Sequence, residues 1–180
     1  MPVWKIAGGD TVLIKNGGYG MGWKTPDLNG WWNYLGCRGN NQGCSNPPIP
    51  AGTAANPTRI VGEEWQTGCA LKPMLRGRGA VRTVLSLMDT SHVQVECLEF
   101  SDNAQCRLLT MPGEPYPCVT YTTDHAYWAL QTNEKTSYLT LRNLFIHGFA
   151  ADGIVGAVGG NILAENLHLR ANGNMGWVFD

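Results

Sequence analysis

Apolar and polar residues alternate in short bursts along this chain, and in its second half each burst is interrupted at the same place. His92-Val93-Gln94-Val95-Glu96-Cys97-Leu98-Glu99-Phe100, Tyr138-Leu139-Thr140-Leu141-Arg142-Asn143-Leu144-Phe145-Ile146 and Asn161-Ile162-Leu163-Ala164-Glu165-Asn166-Leu167-His168-Leu169 share one pattern. Two apolar positions two apart are followed by a two-residue interruption and then by two more. A period of two marks a half-buried strand, and the interruption is a bend that resets which side chains face inward. Nearer the start, Asp10-Thr11-Val12-Leu13-Ile14 reads as a short buried strand closed by an Asn16-Gly17-Gly18 turn, and Thr58-Arg59-Ile60-Val61-Gly62 as the next strand. Between them lies a long excursion with no periodic element. Val84-Leu85-Ser86-Leu87 is a further strand, and no stretch shows a helical period.

The spacing of the copies predicts how they pack. Leu144 and Leu167, Ile146 and Leu169, Asn143 and Asn166, and Gly153 and Gly176 are each 23 residues apart, and Leu98 precedes Leu144 by twice that. A fixed period of this size with short strands and a fixed bend is the signature of coils stacked into a solenoid. The fold expected is all-β, a right-handed parallel β-helix of about 23 residues per regular coil. Residues 1–180 form one domain, with an irregular N-terminal part over 1–79 and repetitive coils over 80–180. Leu98, Leu144 and Leu167 then make one interior row and Phe100, Ile146 and Leu169 another, while Cys97, Asn143 and Asn166 fall at the bend. There a short amide can bond to backbone or to the next coil's amide.

Two segments carry a family resemblance. Gly9-Asp10-Thr11-Val12-Leu13-Ile14-Lys15-Asn16-Gly17-Gly18-Tyr19 and Gly52-Thr53-Ala54-Ala55-Asn56-Pro57-Thr58-Arg59-Ile60, together with the coils from residue 80 onward, resemble the right-handed parallel β-helix proteins, the group that contains pectate lyases. The resemblance implies a secreted or cell-surface protein that binds a polysaccharide or cell-surface glycan, with or without cleaving it in the manner of a polysaccharide lyase. The alternative is a non-catalytic structural or adhesive surface protein. Members of that group continue for many coils, whereas this sequence stops in Trp177-Val178-Phe179-Asp180, which reads as the middle of a strand. The expectation is therefore that further chain, or another subunit, packs on the last coil.

The resemblance also places chemistry on outward positions of one stacked sheet. Those positions are Glu99, Phe145 and His168 in one row, Ser101, His147 and Arg170 in the next, and Arg142 before them. A lyase needs a base beside a uronate carboxylate and a cation to stabilise the enolate, roles that His147, His168, Arg142 and Arg170 could share. The competing reading is that these are scattered polar residues on a solvated face. Asp152 and Glu165 are the nearest pair of carboxylates for an acid hydrolase, but the repeat puts them on different parts of the coil. A calcium ion would be the expected cofactor if any, although Asp89, Asp102 and Asp124 each sit in turn-like contexts without an Asp-rich loop.

Composition narrows the partners. Thirteen Lys and Arg against fourteen Asp and Glu give a net charge of -1 with no block of either sign, so neither nucleic acid nor membrane insertion is expected. Seven Trp and six Tyr supply flat surfaces, and Trp23, Trp31, Trp32 and Tyr34 cluster in the long excursion as a candidate ligand platform or a satellite core. Six cysteines form an even set, and no secretory leader pattern opens the chain. Cys37 with Cys44 and Cys106 with Cys118 each bracket a Gly- or Pro-containing excursion and are the disulfide candidates. Zinc is the competing reading, without a CxxC to support it, and Cys97, beside a strand, reads as a buried thiol.

Overall fold

A computed structural model describes residues 5–21, 23–25, 30–32, 48–77, 81–102 and 126–178. These form fourteen strands and no helix: β1 (Thr11–Ile14), β2 (Gly18–Met21), β3 (Trp23–Thr25), β4 (Gly30–Trp32), β5 (Thr58–Gly62), β6 (Met74–Gly77), β7 (Val81–Ser86), β8 (Ser91–Glu96), β9 (Glu99–Asp102), β10 (Ala126–Gln131), β11 (Ser137–His147), β12 (Ile154–Val155), β13 (Ile162–Arg170) and β14 (Trp177–Val178). All pairings are parallel except that of β3 with β4. One sheet runs β1-β5-β8-β11-β9-β6-β2, with β13 on the far side of β11, and a second runs β7-β10-β12-β14. Among the described residues no helix is long and apolar enough to cross a membrane.

The register follows the sequence period. β13 lies on β11 with Leu139 opposite Ile162, Leu144 opposite Leu167 and Ile146 opposite Leu169, and β11 lies on β8 and β9 with Leu139 opposite Val93 and Ile146 opposite Phe100. Leu98 sits in the gap between β8 and β9, where its carbonyl accepts the Phe145 N–H at 3.1 Å. Leu98, Phe100, Leu144 and Ile146 are fully buried, and Leu167 and Leu169 pack partly buried against the same core. Burying each such side chain contributes about 1.5 to 3 kcal/mol. The arrangement of parallel strands that recur in register is compatible with a β-solenoid.

Each long strand turns its corner through one residue in the left-handed region. Cys97, Asn143 and Asn166 have φ of 59°, 54° and 51°, and they occupy equivalent positions in successive passes of the chain. Asparagine adopts this conformation more readily than other non-glycine residues and satisfies its amide locally. Asn166 Nδ2 donates to Asn143 Oδ1 at 2.6 Å and Asn143 Nδ2 donates to Glu96 Oε1 at 3.2 Å, so the corner amides form a ladder from one pass to the next. The opening position of the same strands repeats the device with bulkier residues: His92 has φ 52° and Tyr138 φ 50°. For an aromatic residue this conformation costs about 1 to 3 kcal/mol.

Two expectations are corrected. Cys97 is no free thiol: it is bonded to Cys69, with the Cα atoms 5.3 Å apart. Its side chain leaves the corner on the side where residues 63–73 return towards β6, and sequence spacing gave no reason to pair it across that irregular segment. The long excursion after β1 is also not free of strands, because β2 joins the main sheet through β6 and the backbones of β3 and β4 pair antiparallel, with Trp23 opposite Trp32 and Lys24 opposite Trp31. Their segments are too short to show a period. Tyr34 and the candidates Cys37, Cys44, Cys106 and Cys118 lie outside the described residues.

Two substitutions test this framework. Asn143→Ala should destabilise the chain by about 2 to 3 kcal/mol, because it loses both the tolerated left-handed corner and the amide bonds, whereas Asn143→Gly keeps the corner and should cost about 1 kcal/mol. Urea unfolding of the two variants checks the difference, and equal losses would refute the corner's role. The Cys69–Cys97 bond spans 28 residues, so the Cys69→Ser, Cys97→Ser double variant should lose up to about 3 to 4 kcal/mol relative to the oxidised wild type, read in the same unfolding assay.

Candidate functional site

The outward face beyond the corner carries a groove of about 650 Å³ lined by Ala70, Lys72, Glu99, Phe145, His168, Leu169 and Arg170. Three parallel strands supply its floor. Phe145 of β11 has Glu99 of β9 on one side and His168 of β13 on the other, so all three residues of the predicted outward row share it. Period-two alternation sends Leu144 and Ile146 into the core and leaves Phe145 between them facing out. Arg170 stands two residues past His168 for the same reason.

The wall comes from the segment between β5 and β6. The Cys69–Cys97 bond fixes that segment to the corner, the Leu71 N–H donates to Glu64 Oε2 at 2.9 Å, and Lys72 Nζ donates to the Cys69 carbonyl at 2.9 Å. The cation of Lys72 is thereby held at the rim, and among the described residues it makes no ion pair. Arg170 likewise has no ion pair or hydrogen bond among the described residues. The acid of the groove, Glu99, accepts from His147 Nε2 at 2.8 Å, and the His147 ring stacks on Phe145 with centroids 4.3 Å apart. His147 therefore buttresses two lining residues and does not line the groove itself.

A chain of hydrogen bonds fixes which nitrogen of His168 is available. The carboxylate of Glu96 can only accept, so Asn143 presents its NH₂ there and its oxygen to Asn166. Asn166 in turn presents its NH₂ to Asn143 and its oxygen to His168 Nε2, 3.1 Å away. An amide oxygen cannot donate, so Nε2 carries the proton and Nδ1 bears the lone pair of the neutral ring. The direction of the whole chain is set at its buried end, where Glu96 is 4% exposed and also accepts from Gln94 Nε2.

Of the four residues expected to share the chemistry, the structure brings His168 and Arg170 into the groove, places His147 behind Phe145 and keeps Arg142 out. Arg142 Nε donates to Glu165 Oε2 at 2.5 Å, and its Nη1 lies 3.9 Å from Glu96, so its charge is occupied by acids of the neighbouring passes. Glu165 is thus committed, and Asp152 is buried elsewhere, accepting from Trp128 Nε1, Asn174 Nδ2 and the Met175 N–H. Lys72 was not foreseen, because it lies in an aperiodic segment whose place beside β9 and β13 depends on an unforeseen disulfide. Nothing is described of the side chains of Trp23, Trp31 and Trp32. Among the described residues no three His, Cys, Asp or Glu side chains come together as a metal site; the expectation of calcium rests on nothing in this geometry.

Comparison with known proteins gave no match to any family profile, to any curated protein or to any solved structure.

Proposed function

We propose that this protein is a right-handed parallel β-helix, secreted or displayed at a cell surface, that binds an acidic polysaccharide along the groove beneath Lys72 and Arg170. The observation that carries the reading is the groove itself: two cations that make no ion pair among the described residues, and a floor shared by three parallel strands with the Phe145 ring at its centre. Its floor crosses three stacked strands, the flat ring of Phe145 suits the apolar face of a sugar, and the cations suit uronate carboxylates. The Cys69–Cys97 bond supports an oxidising compartment.

Cleavage in such a groove would be a β-elimination. A base takes the proton from the carbon beside the carboxylate, the glycosidic C–O bond breaks with the electron pair leaving on oxygen, and a carbon–carbon double bond forms in the sugar that keeps the carboxylate. His168 Nδ1 is the lone pair on hand, and Arg170 and Lys72 are the cations that would steady the enolate.

Titration calorimetry with polygalacturonate, using a neutral glucan as the control, tests the binding. The wild type should bind the acidic polymer with an affinity that falls as salt rises, and Lys72→Ala, Arg170→Ala should weaken it by about tenfold or more. Equal affinity for both polymers, or an unchanged double variant, would remove the proposal. Ultraviolet absorbance of the unsaturated uronate reports cleavage in the same samples, and its abolition in His168→Ala with binding retained is the result expected of a base. Binding without that absorbance would turn the reading towards the adhesive alternative.

A further inference from the structure

On the opposite side of the corner a second cleft, of about 310 Å³, is built where β8, β11 and β13 begin. Its centre is a pair of rings on successive passes: His92 and Tyr138 stack with centroids 4.5 Å apart and planes inclined by 10°. Pro57 precedes β5 where His92 and Tyr138 stand in β8 and β11, Asn161 stands at the same level before β13, and Thr140 and Leu163 close the floor. Among the described residues, the only titratable side chains lining it are His92 and Tyr138 themselves, in contrast to the charged groove. Tyr138 is 52% exposed although the imidazole covers one face of its ring, so the exposed part is the other face and the edge.

The backbone singles out these two rings. Both sit at positive φ, a conformation that glycine or asparagine adopts at lower cost, and the neighbouring corner does use Asn143 and Asn166 for the same geometry. Strain of this kind persists where the side chain is needed for something other than the turn. We infer that this cleft is a second binding site, separate from the charged groove, and that it takes the apolar face of a neutral sugar ring. The open Tyr138 face and Leu163 match the C–H side of such a ring, and the Asn161 amide and Thr140 hydroxyl match its rim of hydroxyls. Among the described residues, no Lys or Arg lines the cleft to favour an acidic sugar.

Carbon-detected and proton NMR of the whole chain, titrated separately with the hexaoses of glucose, mannose and galactose, tests the inference independently of the groove. At least one hexaose should shift the ring signals of His92 and Tyr138. Tyr138→Phe should retain that binding, and Tyr138→Asn should weaken it by about tenfold or more. The asparagine variant suits its left-handed position better than tyrosine, so its melting temperature should not fall and lost binding cannot be ascribed to unfolding. Absence of ring shifts with all three hexaoses, undiminished binding by Tyr138→Asn, or equal shifts with polygalacturonate would each overturn the inference. None of these outcomes bears on whether Lys72 and Arg170 hold an acidic polymer.

Discussion

A parallel stack has no hairpins to set its register, so something at each pass must stop the strands from slipping by a residue. A slip of one would turn every core side chain outward and every outward side chain in. In this chain the stop is a left-handed residue at a fixed place: Cys97, Asn143 and Asn166 turn the same corner, and each reaches a different partner. The two asparagines bond along the stack, and the cysteine is bonded sideways to Cys69. Because the corner is locked, Leu144 and Leu167 meet in the core while Phe145 and His168 meet on the surface one residue later. The groove is a consequence of that lock.

The legible part of the fold was the part governed by this periodicity. Alternation with a reset identified β8, β9, β11 and β13, and the 23-residue spacing placed Leu144 beside Leu167 and Asn143 beside Asn166, because a repeated side-chain pattern is a direct record of a repeated environment. What could not be read was aperiodic. β6 and β10 carry no repeat strong enough to stand out: Met74 to Gly77 alternates over only four residues, and Ala126 to Gln131 mixes apolar and polar positions without a clean period. The Cys69–Cys97 pair could not be read either, since a disulfide across an irregular segment leaves no local mark. Lys72 went unseen for the same reason.

The candidate site divides along similar lines. The outward row of Glu99, Phe145 and His168 follows from strand alternation, and it does line one groove. Arg142 belongs to that alternation too, yet its guanidinium is held by Glu96 and Glu165, and the acids flanking it above and below in the stack are visible only once the register is known. Position along a strand says which face a side chain takes. Whether its charge is free depends on which residues stand beside it on adjacent strands.

The separations between paired strands also bear on the order in which the chain can assemble. β11 and β13 join residues 23 apart in sequence, whereas Thr11 of β1 must find Arg59 and Gly18 of β2 must find Met74, at 48 and 56 residues. Loop-closure probability falls as about the three-halves power of length, which makes the first encounter about three to four times more frequent than either of the others. β11 also offers the longest template, eleven residues with both halves of the bent strand already joined. Loop closure therefore favours early pairing of β11 with β13 over pairing of β1 with β5 or of β2 with β6.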